Sequence, residues 1–230
     1  EAQEMSHYWT GALPQPIPML PEVVTPEMVE AQVDRSERNH QVLLGLTREM
    51  VEVAAFTLDK AISLVSDNVR SVTQFYKVLA YQLKQYTTPV QVVIVDPLGL
   101  VPLDQFKEAH RFSDTLSAKD GMNIILDNLK ERMTQPGEYT QSLIIIPDIQ
   151  ILGQSLNITE NQFKELLLEG PKYGITPVFV GNYKDLMTNY STLVTLHRQL
   201  TTQVFMGMRI SDQEYVRFPY ISNEKSPRPN

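Results

Sequence analysis

Between an apolar run, Ala61–Val65, and a helical pattern that reaches Tyr86, the chain places Ser66, Asp67, Asn68, Val69, Arg70, Ser71, Val72 and Thr73. A turn at such a strand-to-helix junction is where backbone N–H groups can gather round a phosphate. The pattern that does so is G-x-x-x-x-G-K-[ST]: the glycines admit the phosphate to the backbone, the lysine neutralises it, and the hydroxyl ligates Mg²⁺. Here Ser66 and Ser71 stand at the glycine positions and Val72 at the lysine position, so Thr73 alone keeps the chemistry of its place. Asp67 adds a negative charge where phosphates would sit. No cofactor is therefore expected, ATP with Mg²⁺ being at most a weak ligand. Rescue would need Arg70 or Lys60 to reach a phosphate, or a helix opening at Ser71 with its N–H groups available. Without a glycine in the turn, any left-handed residue has to be Asp67 or Asn68.

A second segment carries a carboxylate at the end of an apolar run: Leu143, Ile144, Ile145, Ile146, Pro147, Asp148. Asp148 is the one relict catalytic candidate, and with Thr73 the only candidate metal ligand. The competing reading makes Asp148 a cap for the following turn and Thr73 an ordinary first-turn residue. Asp96, before Pro97, reads as a strand terminator. His7, His40, His110 and His197 have no metal-ligand spacing and no cysteine partners. No G-x-S-x-G elbow occurs.

Several elements must position these groups. Pro14, Pro16, Pro18, Pro21 and Pro26 make residues 1–40 an extended lead-in. Its apolar residues and Tyr8-Trp9 suit docking, and a helix starts at Thr25-Pro26. Gln41–Leu46 and Val51–Thr57 flank Thr47-Arg48-Glu49 as a hairpin. Buried strands follow at 61–65, 91–95, 142–146, 176–180 and 204–208. Helices over 72–83, 122–133, 161–168 and 193–200 separate them, with 98–119 irregular and 223–230 a disordered tail. Strands alternating with long helices imply a mainly parallel sheet, with Ser66–Thr73, Asp96 and Asp148 on its carboxyl rim.

The 230 residues are 42% apolar, carry a net charge of −7 and contain no cysteine. That balance speaks against nucleic acid as a partner, disulfides and thiolate chemistry. The longest apolar runs fall far short of the roughly 20 residues a membrane helix needs. The opening residues look like the interior of a longer protein.

The carboxylate-ended strand resembles the Mg²⁺-holding strand of P-loop ATPases. Glu169 to Asn182, with its Gly174-Ile175 step, is similar to a stretch of FtsK/SpoIIIE-type translocating ATPases. Pro16 to Pro21 resembles the linker between tandem modules of the type VII secretion membrane ATPases, the EssC/EccC family. The resemblance runs collinearly from about residue 14 to 215. It implies a RecA/FtsK-like P-loop NTPase fold over 41–222, with the hairpin at its N-terminal end and the lead-in before it, as the third, C-terminal module of such an ATPase.

In the family the metal strand carries an acid pair, which falls here on Pro147 and Asp148, so one carboxylate is missing. With Val72 in place of lysine, two charges that stabilise phosphoryl transfer are gone, and little hydrolysis is expected. The resemblance then implies a degenerate module at the cytoplasmic face of the bacterial cell membrane. It would recognise secreted WXG100-like substrates or their C-terminal signal, pack against the preceding ATPase module, and join a hexamer in the full-length protein. A weakly active motor module is the alternative. Arg198 and Arg209 lie where family members present arginines toward a neighbouring module's nucleotide; surface ion pairing is the favoured alternative.

Overall fold

The computed structural model describes residues 19, 21–34, 38, 40–47, 51–135 and 137–207. Tyr8-Trp9, His7, most of the proline-rich lead-in, the Arg48-Glu49 turn, Met208, Arg209 and the tail lie outside the described residues. The elements in chain order begin with α1 (Pro26–Glu30), β1 (Gln41–Leu46), β2 (Val53–Thr57), β3 (Ile62–Val65), α2 (Val69–Gln85) and β4 (Val90–Val95). There follow β5 (His110–Phe112), α3 (Thr115–Thr134), β6 (Gln141–Ile146), α4 (Gln150–Gln154) and α5 (Glu160–Leu168). After a 3₁₀ turn at Gly170–Tyr173 come β7 (Ile175–Gly181), α6 (Tyr183–Thr188), α7 (Thr192–Leu200) and β8 (Thr202–Phe205).

The six strands β5-β4-β6-β7-β3-β8 form one sheet, and every pairing in it is parallel. All their carboxyl ends therefore share one rim. β1 and β2 make a separate antiparallel hairpin with a bulge between Leu43 and Gly45. The P-loop-ATPase-like α/β architecture expected from the sequence is the one observed.

Strand alternation divides the core in two. Val93, Val95, Ile144, Ile146 and Phe179 face α3, α5 and α7, whereas Ile94, Leu143, Ile145, Val178 and Val180 face α2 and the hairpin. Because both faces are covered, these strands read as continuous apolar runs. On α2 the 3.6-residue period buries Phe75, Tyr76 and Leu79. Gln82 is buried with them and clamps the hairpin: it accepts from the Leu43 N–H and donates to the Leu43 carbonyl, both at 2.7 Å.

Two corrections concern residues 98–119, read as irregular. His110–Phe112 is an edge strand beside β4, three residues long and without an apolar run to betray it. α3 also begins at Thr115 rather than Met122, because Asp114 and Ser117 form a reciprocal capping box. The short helices α4 and α6 were not expected either; each is five or six residues long and too brief for a period.

Candidate functional site

The parallel sheet brings the Ser66 turn, Asp96 and Asp148 to the same rim, at the ends of β3, β4 and β6. What each does there is set by local hydrogen bonding. The helix after β3 opens at Val69, not Ser71, with Asn68 as N-cap at φ −104 and ψ 109. This corrects the expectation of a later helix start, and the turn needs no left-handed residue at Asp67 or Asn68, since the only positive-φ non-glycine residues described are Val51 and Asn157.

The consequence is chemical. The Asn68 side-chain oxygen accepts from the N–H groups of Arg70 (2.9 Å) and Ser71 (3.4 Å). The buried Ser66 hydroxyl accepts from Asn68 N–H at 3.0 Å, and Ser66 N–H donates to the Gly181 carbonyl at 3.1 Å. Donors that a phosphate loop would present to an anion are thus spent on the turn itself. The chain beyond β8 closes over the same spot. Met206 N–H donates to the Val65 carbonyl at 3.2 Å. A Cβ on Gly207 would lie 2.4 Å from Ser71 Oγ and 3.1 Å from Asn68 Cβ.

The other loop residues have local uses too. Asp67 Oδ1 accepts from Lys184 N–H at 3.2 Å, helping Asn182 cap α6. Val69 is 80% exposed, and Arg70 is exposed in the first turn. Val72 packs on the core facing α2. The Thr73 hydroxyl donates to the Val69 carbonyl at 2.9 Å, the back-bond of a helical threonine. Lys60 sits before β3, at the amino end of the sheet; six extended residues put it up to about 20 Å from Ser66, too far to serve the turn.

Asp148 Oδ1 accepts from Gln150 N–H at 2.8 Å and so holds the start of α4. Burial, with the nearby Asp185 charge adding, raises its carboxyl above the usual carboxylate range, while the Gln150 bond works against this. Thr73 and Asp148 are therefore each engaged in their own segment. Among the described residues no group of three or more His, Cys, Asp or Glu could hold a metal ion. Asp96 is fully buried and accepts from Leu100 N–H (2.9 Å) and Val101 N–H (2.7 Å). Arg198 lies half-buried on α7 beside His197.

The Gly174-Ile175 step lies at the opposite, amino end of the sheet. Gly174 adopts φ 72 and ψ 25, and a Cβ there would meet Arg132 Nη1 at 3.3 Å. That nitrogen donates to the carbonyls of Tyr173 (3.0 Å), Thr140 (3.2 Å) and Gly174 (3.3 Å). The step is a structural junction between α3, β6 and β7, and Arg132 is the residue sequence reasoning missed there. An arginine near a helix end gave no pattern to mark it as buried.

No family model matches the chain. Over 226 residues, 97% of its length, it is 24% identical to the type VII secretion system protein EssC of Staphylococcus aureus, of which that match covers 15%. The chain thus spans about one-seventh of the curated relatives it matches. The fold is similar to the cytoplasmic domain of EssC, with TM-score 0.69 and 15% identity over 97% of this chain and 46% of that one. It is similar as well to ATPases 2 and 3 of Thermomonospora curvata EccC in complex with a signal sequence peptide, with TM-score 0.68 and 13% identity over 98% and 43%. For ATPases 2 and 3 of EssC from Geobacillus thermodenitrificans the TM-score is 0.64 at 14% identity, over 97% and 43%. No helix among the described residues is long and apolar enough to cross a membrane. A parallel sheet of this order and likeness along nearly the whole chain agree: the chain has the fold of the EssC and EccC ATPase domains and is similar in sequence to EssC.

Proposed function

We propose that this is a degenerate module of a type VII secretion coupling ATPase, kept for binding rather than for hydrolysis. One observation carries the reading: Asn68 and Ser66 take up the N–H groups that would cradle a phosphate, and Gly207 lies across Ser71. Asp67 adds a like charge, and no lysine stands at position 72. An ATP β/γ-phosphate would have to displace three internal hydrogen bonds and a backbone crossing without a cation to repay the exchange. Neither ATP nor Mg²⁺ is then a resident cofactor.

The module's work is recognition of export substrates and control of the preceding ATPase module. The relevant substrates are WXG100-like helical hairpins bearing a C-terminal signal. The likeness to an EccC fragment solved with a signal sequence peptide supports this. The mode is an amphipathic segment laid into an apolar groove. The module acts at the cytoplasmic face of the membrane, within a hexamer of the full-length protein, and binds no nucleic acid.

Calorimetric titration with Mg-ATP and with a signal-bearing substrate peptide tests both halves. The expected result is no heat from millimolar Mg-ATP, for the wild type and for Val72→Lys alike, and saturable binding of the peptide. Saturable Mg-ATP binding by the wild type would overturn the first half and favour the weakly active motor. A flat peptide titration would overturn the second.

A further inference from the structure

Leu98, Leu100 and Leu103 stand 58%, 53% and 73% exposed on the turn after β4, while Val101 and Phe106 are buried in the core facing α2. A turn that shows three leucines to solvent needs to be fixed from beneath, and a buried polar cluster does this. Besides its two bonds from Leu100 and Val101, Asp96 faces Arg111, whose Nη1 lies 3.6 Å from Oδ2 and donates to the Val101 carbonyl at 3.1 Å. Two buried donors, the Tyr76 hydroxyl and Arg111 Nη2, meet no acceptor among the described residues.

Tyr76 is 1% exposed, its ring 6.0 Å from that of Phe75 and 6.1 Å edge-on to Phe106. Burial and then the Asp96 charge push its phenol up, and Arg111 pulls it down, so the hydroxyl lies in the field of both groups. Buried hydroxyl and guanidinium donors are almost always paired, and each left unpaired forfeits the desolvation of a whole hydrogen bond.

We propose that Tyr76, Arg111 and Asp96 enclose a site for one ordered internal water. The water accepts from the Tyr76 O–H and from Arg111 Nη2–H, and donates to an Asp96 oxygen. Two donors and one acceptor are the complement of a buried water, which typically makes about three hydrogen bonds. The Asp96 carboxylate disfavours an anion there, and two outward-pointing donors disfavour a cation. The site joins α2, the helix that leaves the Ser66–Thr73 turn, to the turn that displays the leucines, so a shift of one is felt by the other.

Tyr76→Phe tests the site without changing the ring. If the hydroxyl binds the water, the variant melts about 3 °C lower, the shift expected for one lost hydrogen bond in a chain of this size. The Leu100 and Val101 amides, which donate to Asp96, then exchange their hydrogens several-fold faster. An unchanged or higher melting point, with unchanged exchange at both amides, would overturn the proposal, because removing an unpaired buried hydroxyl relieves the fold. A crystal structure of the wild-type chain decides independently should the variant not fold. Density for a water within about 3.2 Å of Tyr76 Oη, Arg111 Nη2 and an Asp96 oxygen is expected, and its lack at a resolution that shows other internal waters overturns the site.

Discussion

His197 makes the fold sensitive to acid in a way that can be separated from its carboxylates. Its ring is buried edge-on to Phe179, with centroids 5.1 Å apart, and Phe179 in turn meets Phe163 at 5.7 Å. Burial, with the neighbouring Arg198 charge adding, depresses its pKa from the ordinary 6.5 to about 3. A depressed folded-state pKa means that the unfolded chain binds the proton first. The contribution is therefore complete above pH 6.5 and is lost as the pH falls toward 3. At 1.36 kcal/mol per unit, one such group removes about 2 kcal/mol by pH 5 and about 3.4 kcal/mol by pH 4. The perturbation is His197→Leu, which cannot titrate and keeps an apolar group against Phe179.

Urea unfolding followed by far-ultraviolet circular dichroism at pH 7, 6, 5 and 4 gives the stability of both proteins. The offset between them at pH 7 reports the contacts of the neutral ring and does not enter. The quantity of interest is how that offset changes with pH, since the carboxylates titrate in both proteins and cancel. Asp148, whose raised pKa favours the folded state as pH falls, cancels with the rest. The wild type should lose about 2 kcal/mol more than the variant between pH 7 and pH 5. Parallel curves, agreeing within about 0.5 kcal/mol, would refute the argument. So would an imidazole that titrates near 6.5 by NMR in the folded protein.

Gln82→Leu leaves the buried Leu43 N–H and carbonyl without their partner and should cost about 2–4 kcal/mol by denaturant titration; a loss below about 0.5 kcal/mol would mean that the hairpin does not depend on this clamp. Gly207→Ala meets Ser71 Oγ and has to hold φ +72, a cost of about 1–3 kcal/mol that Ser71→Gly should partly relieve in a double-mutant cycle. Strict additivity there would separate the strand end from the turn. Arg132→Met deprives the carbonyls of Thr140, Tyr173 and Gly174 of one donor, and a loss of about 2–3 kcal/mol at neutral pH is expected from thermal and urea unfolding; an unchanged midpoint would remove it from the junction.

Sequence alone determined most of the frame. Buried parallel strands are apolar on both faces, so β3, β4, β6 and β7 declare themselves as runs such as Leu143–Ile146. The 3.6-residue stripe Val72, Phe75, Tyr76, Leu79 likewise declares α2. Residue types alone also established that no lysine stands at position 72 and no glycine in the turn. Strand order was not legible, because β3 and β4 follow one another in sequence yet lie apart, with β6 and β7 between them. β5 escaped notice because three edge residues carry no pattern. Only the tertiary structure decided what the rim does. Asp67 could cap its own turn or α6, and Asn68 could sit mid-loop or at the helix start. Ser71 could face solvent or the backbone of Gly207, 136 positions away. Those choices depend on which distant segments the sheet brings within hydrogen-bonding distance, and a local pattern holds no record of that.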